Sequence, residues 1–341
     1  MTRGLLPSMT GLVLAAQLAL ATTAPAAGGP PIPGFADGAE GVTAPGNDDR
    51  YIVLPARGDT LVARVEPDVG RVANFRSFAN RLEIPAVAID GSAGGLSADG
   101  DTLVLRRTPA WFGQRHTTFE LVDAMRLRSR GRITLDGSFT FDAISPDGSR
   151  IYLVEYLSPT DPTRYEVRAY DTRSGRLLRD PIVDPNEPPG EMRGYPITRA
   201  MSPAGRWAYT LYDGGGDHPF IHALDTLGGR AVCIDVHPLA GHPGLRNVFA
   251  GNADRFGLAV SGDGGELTVL DRDVPVAYVD TQSFEVSEPT APPGGGEFPW
   301  VLVSLAAAAF VAGALTLVLR RRRHDVAADG AREGPPQPTG S

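Results

Sequence analysis

The pattern of apolar and polar positions repeats five times along the middle of the chain. Each repeat opens with a short turn rich in Ser, Pro, Asp and Gly, and an apolar segment follows at once. The five apolar segments are Tyr51–Leu54, Thr102–Leu105, Ile151–Val154, Trp207–Tyr212 and Leu267–Leu270. Short apolar runs bounded by turns are typical of β-strands buried on both faces. The pattern therefore predicts one small β unit that is built five times.

A glycine marks the turn before each apolar segment. These glycines are Gly46, Gly100, Gly148, Gly205 and Gly264. They recur at intervals of roughly 50–60 residues, which leaves room for four strands and a longer loop in each unit. Pro fixes a negative φ, Asp bonds to nearby backbone N–H groups, and Gly adopts a positive φ, so this composition favours a tight turn.

A second turn pattern closes each repeat. Its copies are Glu66–Arg71, Arg128–Arg132, Asp171–Arg176, Asp225–Arg230 and Asp280–Ser283. Most of them place a glycine where a hairpin needs a positive φ. Two turn patterns in fixed alternation predict antiparallel strands joined by hairpins.

The repeat at residues 141–184 resembles the YVTN-type β-propeller repeat family. The resemblance is carried by Ser145–Val154, which reads Ser-Pro-Asp-Gly-Ser-Arg-Ile-Tyr-Leu-Val, and by Val167–Arg176. It implies four-stranded antiparallel blades around a channel, with motif residues that form turns and strands and carry no chemistry. Ala204 and Gly262 depart from the family pattern, where Asp and Pro are usual. We expect an all-β fold, a five-bladed β-propeller of four-stranded blades.

Both ends of the chain carry targeting patterns. The first 26 residues have the features of a secretory signal peptide, with Arg3, an apolar segment and an Ala-x-Ala cleavage site at Ala24–Ala26. Val301–Leu319 is apolar throughout and nearly matches the ~30 Å hydrocarbon core when helical. Four arginines, Arg320–Arg323, follow it and favour a cytoplasmic location for that end.

These features predict a single-pass protein of the cytoplasmic membrane. The propeller would lie on the extracytoplasmic side and a short tail in the cytoplasm. The expected segments are a signal peptide at 1–26, a linker at 27–37, the β-propeller at 38–286, a Pro/Gly stalk at 287–297, a transmembrane helix at 298–319 and a tail at 320–341.

Composition narrows the classes of partner and chemistry. The net charge is −8 and no basic stripe occurs, so nucleic-acid binding is not expected. The single cysteine, Cys233, lies in an apolar stretch and cannot form an internal disulfide. We expect it to be an inert thiol.

Loop lengths differ between the two ends of the predicted blades. The turns after the first and third strands are short, and they define the short-turn face. The loops after the second and fourth strands are long, and they define the long-loop face: Pro109–Thr117, Ser158–Arg164, Asp184–Thr198, Asp213–Pro219 and His237–Asp254. Function concentrates on variable loops held by a rigid frame, so the long-loop face is the expected binding face.

The candidate binding residues lie in these long loops. They are Trp111, Arg115, His116, Glu191, Arg193, Asp217, His218 and His242. An exposed aromatic beside Arg is typical of a binding anchor. The alternatives are a loop aromatic packed over a blade edge, a charge-paired Pro-rich loop and scattered surface histidines. His218 and His222 lie about 13 Å apart on a strand, too far for one zinc, so no metal and no cofactor are expected.

Catalytic sequence motifs are absent. The chain contains no Gly-x-Ser-x-Gly, His-Glu-x-x-His, Cys-x-x-Cys or phosphate-loop pattern. We therefore expect a binding or interaction module for a protein, peptide or envelope ligand. The alternatives are an extracytoplasmic hydrolase of a saccharide or lactone at the central channel, with paired carboxylates, and a sensor that relays binding through its tail.

Overall fold

A computed structural model describes residues 41–43, 49–66, 70–108, 113–187, 194–216, 218–249 and 253–289. Within these ranges the fold is all-β, with five four-stranded antiparallel sheets. The strands of each sheet pair in chain order. We number the sheets 1 to 5 from the N-terminus.

Sheets 1 to 3 occupy the first half of the described residues. The strands of sheet 1 are β1 (Val42–Thr43), β2 (Arg50–Ala56), β3 (Asp59–Glu66) and β4 (Arg71–Phe78). The strands of sheet 2 are β5 (Leu82–Glu83), β6 (Thr102–Arg107), β7 (His116–Asp123) and β8 (Arg128–Asp136). The strands of sheet 3 are β9 (Ser138–Ile144), β10 (Arg150–Tyr156), β11 (Tyr165–Asp171) and β12 (Arg176–Leu177).

Sheets 4 and 5 complete the row. The strands of sheet 4 are β13 (Pro196–Met201), β14 (Trp207–Tyr212), β15 (Phe220–Asp225) and β16 (Arg230–Asp235). The strands of sheet 5 are β17 (Phe256–Val260), β18 (Glu266–Asp271), β19 (Val274–Asp280) and β20 (Val286–Ser287). Short 3-10 helices lie in the loops at Gly214–Gly216, His237–Leu239 and Ala253–Arg255.

The predicted repeat is confirmed as a series of four-stranded antiparallel blades. The five apolar segments lie in the second strands, β2, β6, β10, β14 and β18. Neighbouring sheets share hydrophobic clusters, sheet 1 with 2, 2 with 3, 3 with 4, and 4 with 5. The apolar faces of consecutive sheets therefore pack on one another, as in a β-propeller.

Side-chain hydrogen bonds explain why the first turn pattern recurs. Ser145 donates from Oγ to Asp147 Oδ1 at 2.8 Å and accepts from the backbone N–H of Arg150 at 2.9 Å. The same pair of bonds forms at Ser97 and at Ser261. Ser and Asp thus replace the backbone partners that a tight turn lacks.

The two turn patterns occur together because they bond to each other. The hydroxyl groups of Thr172, Thr226 and Thr281, in the second turns, donate to the carbonyl groups of the first-turn glycines. The distances are 3.0 Å to Gly148, 3.0 Å to Gly205 and 2.6 Å to Gly264. Each Asp-Thr sequence therefore fastens one hairpin to the turn beside it.

The second turn of sheet 2 does not lie where the sequence predicts it. The prediction of Arg128–Arg132 is wrong, because that stretch belongs to β8. The turn precedes Arg128. Leu127 adopts a φ of +49° at the turn position that holds residues other than leucine in the other described repeats. Ala124 occupies the position of the threonine, and only its backbone N–H bonds to the first turn, at Asp101 O. Without Thr and Gly, the turn carried no recognisable pattern.

The second strands of sheets 2 to 4 are more buried than those of sheets 1 and 5. Strands β6, β10 and β14 are buried on both faces, as the sequence predicts. In β18 only the alternate residues Leu267 and Val269 are buried, and in β2 only Tyr51 is buried. Sheets 1 and 5 therefore each have one face that the described residues leave uncovered, and the prediction of two buried faces is wrong for these two sheets.

The predicted signal peptide, linker, transmembrane helix and tail lie outside the described residues, and so does the predicted stalk from residue 290, whose first residue, Ser287, ends β20. Within the described ranges, no helix has the length and apolar character needed to cross a membrane.

Candidate functional site

On the short-turn face, the first turns of sheets 2, 3 and 4 meet near the centre of the molecule. The backbone N–H of Asp99, in the first turn of sheet 2, donates to Pro146 O in the first turn of sheet 3 at 3.0 Å. The first turn of sheet 4 reaches them at Gly205, where a Cβ would lie 2.5 Å from the Cβ of Ala98. Gly205 also has a φ of +69°, so this close approach needs glycine for two reasons.

A segment of sheet 2 crosses the centre. The chain between β5 and β6 extends as far as β13 of sheet 4, where Ile89 N donates to Pro196 O at 3.0 Å and Asp90 N to Ile197 O at 3.1 Å. Gly94 of the same segment lies against the Phe141 ring, with no room for a Cβ. The middle of the propeller is therefore filled by this chain's own backbone.

A central cavity of about 260 Å³ remains on the short-turn side. Its walls are mostly apolar side chains and glycines, from the 93–98 segment, β9, and the end of β13 with its turn. Asp142 is the one carboxylate among its lining residues, and it forms an ion pair with Arg199. A glycoside hydrolase of the usual kind needs two carboxyl groups flanking the bond that breaks. The lining that the structure describes does not provide such a pair.

The larger opening lies on the long-loop face. This long-loop cleft has a volume of about 700 Å³. Four loop regions of sheets 3, 4 and 5 form its walls: Leu157 with Thr163–Tyr165, Gly194–Tyr195, Asp213 with Gly215, and Leu245–Phe249. A cleft of this size fits the range in which proteins bind ligands.

Asp213 fixes the floor of the long-loop cleft. Its Oδ1 accepts the backbone N–H of Tyr195 at 2.7 Å and that of Gly215 at 3.2 Å, so one carboxylate joins two loops. Gly194, beside it, has a φ of +93° and no space for a Cβ. Burial raises the pKa of Asp213 above its ordinary value, although the backbone donors oppose this shift. The role that follows from these bonds is positioning of the loops.

Aromatic rings stiffen the same floor. The hydroxyl of Tyr165 donates to Gly194 O at 3.1 Å. The rings of Tyr195 and Phe249 meet edge to face, with centroids 4.7 Å apart. A small cavity of about 20 Å³ shares Tyr165 and Tyr195 with this floor and Phe141 and Asp142 with the central cavity. The floor of the cleft is thus preformed by these contacts.

The exposed rim of the long-loop cleft is amphipathic. Leu157 presents an exposed aliphatic side chain, and Arg164 and Arg246 present exposed arginines. Tyr195 and Phe249 are half-buried and offer ring edges. Such a surface can bind apolar side chains while Arg and backbone groups bind polar ones.

The structure places four of the eight predicted binding residues, and none of these four lines the cleft. Arg115 and His116 are exposed at the start of β7, and His116 Nδ1 lies 3.0 Å from Asp136 Oδ1. His218 is exposed in the loop before β15. The other four lie outside the described residues: Trp111, Glu191, Arg193 and Asp217.

His242, the fourth placed residue, has a structural role. Its Nε2 lies 3.4 Å from Asp271 Oδ2, and Arg255 donates to the same carboxylate from Nε at 2.6 Å. The imidazole also packs edge to face on Phe256, with centroids 5.3 Å apart. These contacts fasten the loop before sheet 5 to β18.

The single cysteine is held inactive by its surroundings. Burial raises the pKa of Cys233 to about 12, so its thiol is protonated near neutral pH and is a poor nucleophile. In the ranges that the structure covers, no three His, Cys, Asp or Glu side chains group closely enough to hold a metal ion.

The sequence predicted the long loops that form the cleft, but it did not predict which residues line the cleft. Tyr195, Asp213 and Phe249 come from three different loops, and each stands alone in its local sequence. The available signal was one aromatic residue in each of two long loops, Tyr195 between Gly194 and Pro196, and Phe249, which is weak for either residue.

Comparison with known proteins identifies similar folds. No protein-family model and no curated protein sequence matches the chain. A putative TolB from Agrobacterium tumefaciens is 16% identical over 72% of this chain and 78% of its own, with a TM-score of 0.40. The Myceliophteria thermophila Cps50 (Swd1) β-propeller domain is 10% identical over 71% and 65%, with a TM-score of 0.41. Kuenenia stuttgartiensis hydrazine synthase is 14% identical over 73% and 71%, with a TM-score of 0.39.

Proposed function

We propose that this chain is a membrane-tethered, extracytoplasmic β-propeller that binds an extended polypeptide segment of an envelope partner in the long-loop cleft. The observation that carries the proposal is the cleft itself, about 700 Å³ in volume and preformed by four loop regions. A preformed site loses little conformational entropy when a ligand binds.

The lining favours a polypeptide over a small sugar. Leu157 and the half-buried Tyr195–Phe249 ring pair supply apolar contact, while Arg164 supplies a charged donor. An extended segment offers alternating apolar and polar groups to such a surface.

The proposed tether follows from the sequence of the two ends. An apolar stretch at Val301–Leu319 precedes four arginines, and a secretory pattern begins the chain. We expect protease added to intact spheroplasts to degrade the propeller, while an epitope tag fused after Ser341 survives. Immunoblotting of the tag measures this. Loss of the tag without permeabilisation would reverse the proposed orientation.

The cleft is tested with a surface substitution and a matched control. We expect Leu157→Asp to weaken peptide binding at least tenfold, because a carboxylate replaces an exposed apolar contact in the cleft. The peptides are selected from a displayed random library on the purified full-length chain in detergent, and fluorescence anisotropy measures their affinity.

Leu227→Asp is the control, since Leu227 is similarly exposed but lies in the β15–β16 turn on the short-turn face. Its affinity for the same peptides is expected to equal that of the unsubstituted chain. Equal weakening by both substitutions, or by neither, would count against the long-loop cleft as the binding site.

A further inference from the structure

The uncovered face of sheet 1 is strongly apolar. Leu54, Val72 and Phe75 expose 47%, 52% and 65% of their surface. The register places them on one side of the sheet, since Leu54 pairs with Leu61, Val72 with Val65, and Phe75 with Ala63. Tyr51 and Val62, on the other side, are fully buried against sheet 2.

The size of this face bears on what covers it. Four strands spaced ~4.8 Å apart and about seven residues long, at ~3.4 Å per residue, cover roughly 400–500 Å². Two copies that paired through it would bury about 900 Å², which is below the roughly 1,200–2,000 Å² of a stable interface. A segment of the same chain needs no such area, because its tether gives it a millimolar effective concentration.

The chain enters sheet 1 at the β1 edge, next to this face. Strand β1 is antiparallel to β2, with Val42 opposite Tyr51, so the chain before β1 comes from the direction of Leu54. Gly41 has a φ of +118°, and a Cβ there would lie 2.9 Å from Cγ2 of Ile52. Ile52 is on the uncovered side, one residue from the buried Tyr51. Gly41 therefore lies at the edge of sheet 1 beside Tyr51 and Ile52, from where the preceding residues can pass onto the uncovered face.

The sequence before Gly41 can supply a cover. Residues 27–40 include Ile32 and Phe35, whereas residues 290–297, after sheet 5, contain no large apolar side chain. Six residues separate Phe35 from Gly41 and span up to ~20 Å. Four strands span ~14 Å across, so Phe35 can reach Phe75 on the outer strand.

We propose that residues 27–40 pack across the uncovered face of sheet 1, with Phe35 and Ile32 covering Phe75, Val72 and Leu54. The segment acts as an end cap. It covers this face of sheet 1 in the way that neighbouring sheets cover both faces of sheets 2 to 4. This inference is independent of the ligand proposed for the long-loop cleft.

Engineered disulfides test the proposal in the full-length chain. In a Cys233→Ser background, Phe35→Cys with Phe75→Cys is expected to form an intramolecular disulfide under mild oxidation. Non-reducing electrophoresis then shows a shifted monomer band. The control pairs Phe35→Cys with Leu227→Cys, an equally exposed position on sheet 4, and is expected to give at least fivefold less intramolecular product.

Three outcomes would overturn the end cap. A disulfide-linked dimer of the Phe35→Cys, Phe75→Cys chain would assign the face to a second copy. Free thiols that react with maleimide but do not join, or equal joining in the control pair, would show that the segment lies elsewhere.

Hydrogen exchange supplies a measurement without cysteines. The Ile32→Ser, Phe35→Ser chain is expected to exchange at least tenfold faster at amides of β4, with β14 of sheet 4 unchanged as the internal reference. Unchanged exchange at β4 would also overturn the proposal.

Discussion

Replacing Asp142 with leucine is expected to lower the free energy of unfolding by about 3–5 kcal/mol, because it leaves a buried arginine without its partner. Asp142 lies in β9 of sheet 3 and Arg199 in β13 of sheet 4, and their side chains expose only 3% and 5% of their surface. Arg199 Nη1 also donates to the backbone carbonyl of Asp142 at 2.8 Å. This charged contact joins two sheets where both face the centre.

Urea denaturation followed by tryptophan fluorescence measures the effect. The double variant Asp142→Leu, Arg199→Met is expected to recover most of the loss, because a buried pair replaced by apolar side chains is often neutral. Asp136→Leu is the matched control, since Asp136 is exposed and pairs with the exposed His116. We expect it to cost less than about 1 kcal/mol through that pair. A double variant as unstable as Asp142→Leu alone would contradict the role of the unpaired charge.

Acidification from pH 6.5 to pH 4 is expected to lower the free energy of unfolding by about 3 kcal/mol through His222 alone. His222 lies in β15, is buried, and has neither ring nitrogen hydrogen-bonded. Loss of hydration is the main cause that lowers its pKa from 6.5 to about 4. The folded protein therefore binds this proton less readily than the unfolded chain, and stability falls as the pH drops through that window.

A titration of urea midpoints from pH 7 to pH 4 measures this dependence. His222→Phe is expected to flatten it, since phenylalanine keeps the ring and removes both unsatisfied nitrogens. His116→Phe, at an exposed position, is the control and is expected to keep the slope. Asp147 and Asp225, with pKa values of about 2, lose their contribution only below about pH 4. Burial raises the pKa values of Asp213 and Glu155, so their protonation opposes the loss of stability that His222 causes. An unchanged slope in His222→Phe would exclude His222 as its source.

The blades could be predicted from the sequence because the residues that form each turn bond to one another within a short stretch of chain. Ser145 and Asp147 bond within five residues, and the Thr172 hydroxyl reaches the adjacent turn. Local bonds of this kind leave a local sequence record. The second turn of sheet 2 has Ala124 where three other repeats have threonine. The sequence pattern therefore placed this turn several residues too late.

The cleft and the buried pair could not be read in the same way. Asp142 and Arg199 are 57 residues apart, and Tyr195 and Phe249 come from separate loops. Which loop residues meet depends on how consecutive sheets pack, and periodicity carries no information about that. The uncovered faces of sheets 1 and 5 escaped for the same reason, since β2 and β18 are as apolar as the strands between them.

The crossing of the 84–96 segment to β13 has a consequence for biosynthesis. Ile89 and Asp90 complete their hydrogen bonds only with Pro196 and Ile197, so roughly a hundred further residues must be translated first. Sheet 2 therefore emerges from the ribosome, or from a secretion pore, before β13, the strand to which its 84–96 segment bonds. Such distant pairings are slow to form. We expect maturation of the N-terminal half to wait for the arrival of sheet 4, so that the chain folds as one cooperative body and not blade by blade.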